Sequence, residues 1–285
     1  MQIRPYIIHS TFQNQRLLIT KSIGPLLLGA AFFFFSSLTS AHAALKIAVV
    51  DTGFCSNKAQ THAKIHKILP TLDMTESNEY NCAKVTSKEL SESGRFHGQH
   101  VLNEFLKFLP KKIEAQITPL VVYDKTGTQT EDGWSKAIEY IEKEKIDLVL
   151  TASGFISDKK LVGELPSLWF IPSGRTERLI SRETVLFPQS LTPKPNIIMI
   201  GDYFDKGQII YDQALLYQDH IDYYFPSGSK GFQGTSRAVA EAMGKALEKC
   251  FITKEVKEAY LLRLCLLKNS KVLKDPILKK EFKTF

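Results

Sequence analysis

The chain has 285 residues, of which 44% are hydrophobic and 24% charged, and a formal charge of +7. That is an ordinary globular composition, long enough for one large core or two small ones, and it excludes a low-complexity or disordered chain. The basic residues are scattered, and no stacked-aromatic platform or recognition motif accompanies them, which argues against a nucleic-acid partner.

Residues 1–22 carry Arg4, Arg16 and Lys21 and no acidic residue; Ile23 to Leu38 is nearly all apolar, and Ala41-His42-Ala43 reads as a small-x-small cleavage site. Together these predict a secretory signal peptide over 1–43 and an exported protein, periplasmic or secreted, over 44–285. The alternative is an uncleaved membrane anchor, the one membrane contact this sequence suggests. Cleavage removes three basic residues and no acidic one, so the charge falls from +7 to +4. Four cysteines, Cys55, Cys82, Cys250 and Cys265, suggest disulfides in an exported chain. Three connectivities are open, and Cys55–Cys82 with Cys250–Cys265 is the local choice. None has the spacing of a zinc site, so no metal or other cofactor is expected.

Leu45 to Val50 is a nearly continuous apolar run, as in strands buried on both faces, and it stops at Asp51-Thr52-Gly53. Residues 54–95 read as a long polar excursion with one strand near Ile65–Leu69. A helix is predicted from Phe96-His97-Gly98 through Phe108, stopped by Pro110. Next come a strand over Ile117–Tyr123, a turn over Thr126–Asp132 and an amphipathic helix over Trp134–Lys143. Ile146–Leu150, Leu168–Ile171 and Asn196–Ile200 follow as core strands, with shorter ones near Gln208–Tyr211 and Ile221–Tyr224. Gly234-Thr235-Ser236 opens a long helix, and a last helical segment spans about 254–268. Lys268 to Lys283 reads as a solvated basic tail. Strands alternating with helices predict an α/β fold, one domain with a mostly parallel sheet covered on both faces. Its core spans about 45–250, with a helical extension after 250. Sites in such sheets form beyond the carboxyl ends of the strands, where Asp51, Ser153 and Arg175 fall.

Three local features carry chemistry. Asp51 ends the first strand, His97 sits in the first turn of a helix beside Gly98, and Ser236 opens the late helix. A serine needs an adjacent base to become a nucleophile, histidine is the usual base, and a buried carboxylate fixes its tautomer. By itself Thr235 or Ser236 reads first as a helix cap, and it is the upstream aspartate and histidine that change that reading.

Ile47 to Gly53, His97-Gly98-Gln99-His100-Val101 and Gly234-Thr235-Ser236-Arg237-Ala238 resemble the three signature blocks of the subtilisin-like serine peptidases, in that family's order. The resemblance covers about residues 45–250 and implies a compact, divergent subtilisin-like peptidase domain. It implies Ser236 as nucleophile, His97 as general base and acid, and Asp51 as the orienting carboxylate, with His100 the competing histidine. Ser153 and Gly154 would pair with an extended substrate backbone, so the implied partner is a peptide or protein substrate.

The departures are specific. The family's oxyanion asparagine is missing from Pro172-Ser173-Gly174-Arg175-Thr176, leaving Arg175 and the Ser236 amide as the oxyanion donors. Arg237 and Ala240 stand where methionine and proline are usual; Arg237 suits an acidic substrate or an internal ion pair. Only Ala44 separates the cleavage site from the first strand, which leaves no room for a prodomain. Two further readings follow: a catalytically inactive scaffold binding a peptide or protein, and an unrelated doubly wound binding domain.

Overall fold

A computed structural model of the chain describes residues 44–59, 65–76, 82–92, 94–124, 126–157, 164–174, 185–206, 209–212, 218–228, 231–250, 259–275 and 279–285. Residues 1–43 and Arg175 lie outside them.

Strand β1 (Leu45–Asp51) is the middle of the architecture. Because every second residue of a strand faces one side, Ile47 and Val49 enter one core and Ala48 and Val50 another. The next strands, β2 (His66–Ile68) and β3 (Leu72–Asp73), lie beyond β4 (Ala115–Val121), which pairs with β1 in parallel. Between them run the short helix α1 (Ser87–Glu92) and helix α2 (His97–Phe108). Helix α3 (Glu131–Lys143) then leads to β5 (Leu148–Thr151), on the other side of β1. Strand β6 (Phe155–Ser157) leaves the main sheet and pairs with β8 (Val185–Phe187), while β7 (Leu168–Pro172) joins β5. Beyond them lie β9 (Ile197–Lys206), its antiparallel partner β10 (Ile209–Asp212) and its parallel partner β11 (Tyr223–Pro226).

The sheet order is therefore β10-β9-β7-β5-β1-β4-β2, with β11 on β9 and β3 on β4. It is the mostly parallel α/β sheet expected. The chain first builds to one side of β1 and then to the other, so the crevice at the carboxyl end of β1 is the topological switch point. Asp51 stands there.

Helix α4 (Thr235–Cys250) and α2 cover one face through Val101, Leu102, Phe105, Val239 and Met243. Helix α3 covers the other through Trp134, Ala137 and Ile141. It starts three residues before the expected Trp134, because Thr130 is an N-cap whose hydroxyl accepts the Gly133 N–H. Glu131 and Asp132, expected in a turn, fill its first turn. Helices α2 and α4 pack against each other: Arg237 pairs with Glu104, and Gly244 meets Phe108, the last residue of α2.

The C-terminal segment departs from its sequence reading. After helix α5 (Ala259–Asn269), residues 268–283 do not form a solvated tail. Strands β12 (Lys271–Lys274) and β13 (Glu281–Thr284) make a hairpin. Phe282 packs edge-on to Tyr224, and Phe285 to Tyr223 and Phe225. Its lysines face solvent while its aromatic rings seal the end of β11. Disulfides join Cys55 to Cys82 and Cys250 to Cys265, the local connectivity, and the second ties α5 to α4.

Candidate active site

The end of β1 and the start of α2 are laced together by short-range chemistry. The Gly98 N–H donates to Thr52 Oγ1 at 2.9 Å, the Gly53 N–H to the Arg95 carbonyl at 2.8 Å, and the Cys55 N–H to Gln99 Oε1 at 2.7 Å. Gly98 has to be glycine, since a Cβ there would sit 2.6 Å from the Phe54 ring and 3.0 Å from Asp51 Cβ.

These ties bring two of the candidate residues together. Asp51, fully buried, accepts at Oδ1 from the Thr52 N–H at 2.7 Å and from His97 Nδ1 at 2.8 Å. A carboxylate only accepts, so Nδ1 carries the proton and Nε2 keeps its lone pair. Burial lowers the pKa of His97, but the charge of Asp51 and its hydrogen bond outweigh burial and raise it above the ordinary histidine value. Asp51 Oδ2 is buried with no hydrogen-bond partner among the described residues.

Ser236 is the second residue of α4, where the helix field favours developing negative charge. Gly234, at φ +93°, turns the chain into this helix, and its N–H is held by the Ser227 carbonyl at 2.9 Å. The Ser236 hydroxyl donates to the Ala152 carbonyl at 3.4 Å, and no hydrogen bond joins it to His97 among the described residues. Phe232, just upstream of Ser236, presents its ring to His97 edge-on at 5.5 Å and to His100 stacked at 5.7 Å. His97, not His100, makes the contact with Asp51.

Arg237 takes the second of its two sequence readings. Its guanidinium lies 3.0 Å from Glu104 and 2.8 Å from Glu241, and it donates to the Pro226 carbonyl at 2.8 Å. Both carboxylates are almost wholly buried, so this arginine is an internal tie between α2 and α4. Arg175 lies outside the described residues. Of its loop, Ser173 is buried and Gly174 adopts φ +78°.

Ser153 and Gly154 follow directly on Ala152, just past the end of β5. Their carbonyls already have partners that the sequence did not reveal: Gln189 Nε2 donates to the Ser153 oxygen at 3.3 Å and Gln129 Nε2 to the Gly154 oxygen at 2.7 Å. Tyr123 donates to Ser153 Oγ at 3.2 Å. Burial, then the negative charge of Asp51, pushes the Tyr123 phenol above its ordinary range despite that bond, so it stays protonated. Two lone glutamines outside the periodic segments, and a tyrosine at a strand end, carry no signal of this network in the sequence.

Neither the protein-family models nor the curated proteins include a match to this sequence. Solved structures do resemble it. A lanthipeptide protease superposes with a TM-score of 0.57 over 81% of this chain and 81% of its own, at 15% identity. The prenylagaramide maturation protease PagA gives 0.49 over 81% of this chain and 84% of its own, at 16% identity. The α/β fold is thus shared with the lanthipeptide protease.

Proposed function

We propose that this protein is an exported, subtilisin-like serine endopeptidase that cuts peptide bonds through an acyl-enzyme, with Ser236 as nucleophile, His97 as base and acid, and Asp51 as the carboxylate behind it. The observation that carries the reading is the Asp51–His97 pair at the switch point of the sheet, its carboxylate buried, with Phe232 of the segment leading into α4 set against the His97 ring. Asp51 holds the tautomer in which Nε2 accepts the serine proton, and stabilises the imidazolium that forms. Ser236 then attacks the substrate carbonyl, after its hydroxyl has swung from Ala152 to His97; such contacts tighten when substrate binds. The oxyanion would form at the N-terminus of α4, within reach of the Ser236 amide, with Arg175 as the second donor. Nε2 returns its proton to the leaving amine, and water hydrolyses the ester by the reverse route.

Export rests on the sequence of 1–43, and the two disulfides suit an oxidising compartment. Among the described residues no helix is long and apolar enough to cross a membrane. The domain assignment, 44–285 as one peptidase domain after the signal peptide, belongs to the same proposal, and so do peptides or proteins as substrates. A protease with this fold supports the reading by analogy of architecture. The inactive binding scaffold predicts the same fold without a reactive serine. Fluorophosphonate labelling separates them. The full-length protein should form an adduct mapping to Ser236 by mass spectrometry, lost in Ser236→Ala; a folded protein that forms none is a scaffold.

A further inference from the structure

We infer that Gln129, with Tyr123, closes the peptide groove on its acyl side, so that recognition stops after two residues before the scissile bond. The inference deepens the peptidase reading and takes the position of Ser236 from it. An extended peptide adding to a strand edge exchanges hydrogen bonds with every second residue of that edge. Ser236 Oγ lies 3.4 Å from the Ala152 carbonyl, which sets Ala152 beside the reacting residue. With the substrate laid along residues 152–154, which run between β5 and β6, Gly154 stands two residues on from Ala152, opposite the third substrate residue. Its carbonyl is where Gln129 Nε2 donates, at 2.7 Å. The side-chain amide thus occupies the place of the substrate's own backbone N–H.

The amide cannot turn over. Trp134 Nε1 is only a donor and reaches Gln129 Oε1 at 2.8 Å, so Nε2 must face Gly154 and the Tyr123 hydroxyl, 2.6 Å away. Tyr123 passes the chain on to Ser153 Oγ at 3.2 Å. Backbone pairing of Tyr123 with Gln129 across the Asp124–Thr128 turn holds both side chains at the base of one loop. The run from Trp134 through Gln129 and Tyr123 to Ser153 therefore joins α3 to the end of β5, with each donor matched to an acceptor. Gly154 itself leaves no slack: a Cβ there would lie 2.9 Å from Leu186 and 3.0 Å from Gln189 Oε1. Beside Tyr123 lies a cavity of about 300 Å³, lined by Thr52, Arg95, Tyr123 and Asp124.

The test uses peptidyl diphenyl phosphonates with one to four residues and a common residue at the reactive position, on the full-length protein. Labelling should speed up from one residue to two and then stay level. In Gln129→Ala the four-residue probe should gain about tenfold over the two-residue probe, the scale of one hydrogen bond. Gln129→Glu keeps an acceptor for Trp134 but loses the donor to Gly154; it should show the same gain, which a disturbed α3 would not produce. A wild-type rate that climbs tenfold between two and four residues, or variants that stay level, overturns the inference. Calorimetry of N-acetylated two- and four-residue peptide acids on Ser236→Ala keeps the two readings apart, because it needs no chemistry. If no probe labels, the peptidase reading falls, while equal affinities for the two lengths and a tenfold gain in the Gln129→Ala double variant still uphold the closed groove. Tighter binding of the longer peptide with Gln129 in place, or no binding of either, refutes it.

Discussion

Gly244→Ala tests the packing that brings His97 and Ser236 to the same end of the molecule, without touching either. Gly244 lies inside α4, where alanine is favoured over glycine by about 1 kcal/mol in an isolated helix. Against this, the new Cβ would meet Phe108 Cβ at 2.4 Å and the Phe108 backbone at 3.0 and 3.2 Å. Carbon atoms rest at about 3.5–4.0 Å, so α4 and the last turn of α2 must part by roughly 1 Å. A rotamer change in Phe108 gives no escape, because Cβ and backbone are fixed to the helix. Overpacking of this kind costs about 1–3 kcal/mol, and the rigid contact places it at the upper end. The net loss is about 1–2 kcal/mol, or about 2–8 °C in Tm for a domain of this size. A displacement of about 1 Å at the reacting groups slows chemistry by roughly 100-fold. Calorimetric melting and fluorophosphonate labelling rates read both effects. A Gly244→Ala protein that melts at or above the wild-type temperature and labels at the wild-type rate would refute the reasoning.

Asp51→Asn should lower the labelling rate by about 10⁴ through loss of the correct His97 tautomer. It should also move the acid limb of the pH profile to lower pH, since burial then acts on His97 without the opposing charge. In the wild type, the stability the Asp51–His97 pair adds is full below the unfolded histidine pKa and is lost as pH rises through the raised folded value, which melting temperatures across that window should show. Arg237→Met leaves Glu104 and Glu241 buried with only lysines beside them, and should cost about 3 kcal/mol in urea unfolding. An unchanged midpoint would mean the ion pairs contribute nothing. Phe282→Ala removes a buried ring from Tyr224 and should destabilise by about 3–5 kcal/mol; a loss below about 1 kcal/mol would return the hairpin to the solvated surface it resembles in sequence.

What was legible in the sequence follows from what each segment is buried against. Strands covered on both faces must be apolar throughout, so β1, β5 and β7 stand out as continuous runs. Helices α2 and α3 show their periodicity because each has one wet face. The β12–β13 hairpin hides for the opposite reason: Phe282 and Phe285 stand three apart among Glu281, Lys283 and Thr284, and their burial comes from Tyr223, Tyr224 and Phe225, distant in the chain. Strand β9 runs to Lys206, past the expected Ile200, because β10 and β11 pair with its outer half. At the candidate site, Asp51 and His97 were visible as a strand end and a helix start. Gln129, Gln189 and Tyr123 were not, since a hydrogen-bond network among single residues leaves no pattern along the chain. The Arg237 pairing shows the same limit: its partners Glu104 and Glu241 lie on two helices, and only packing brings them together.

If Asp51, His97 and Ser236 act as one unit, a double-mutant cycle on labelling rate reveals it. Members of such a unit are strongly non-additive. His97→Ala should slow labelling of Ser236 by orders of magnitude, and Asp51→Ala/His97→Ala should be no slower than His97→Ala alone. If the two losses multiply, or if His97→Ala labels as fast as the wild type, the aspartate does not work through the histidine and the triad does not exist as described.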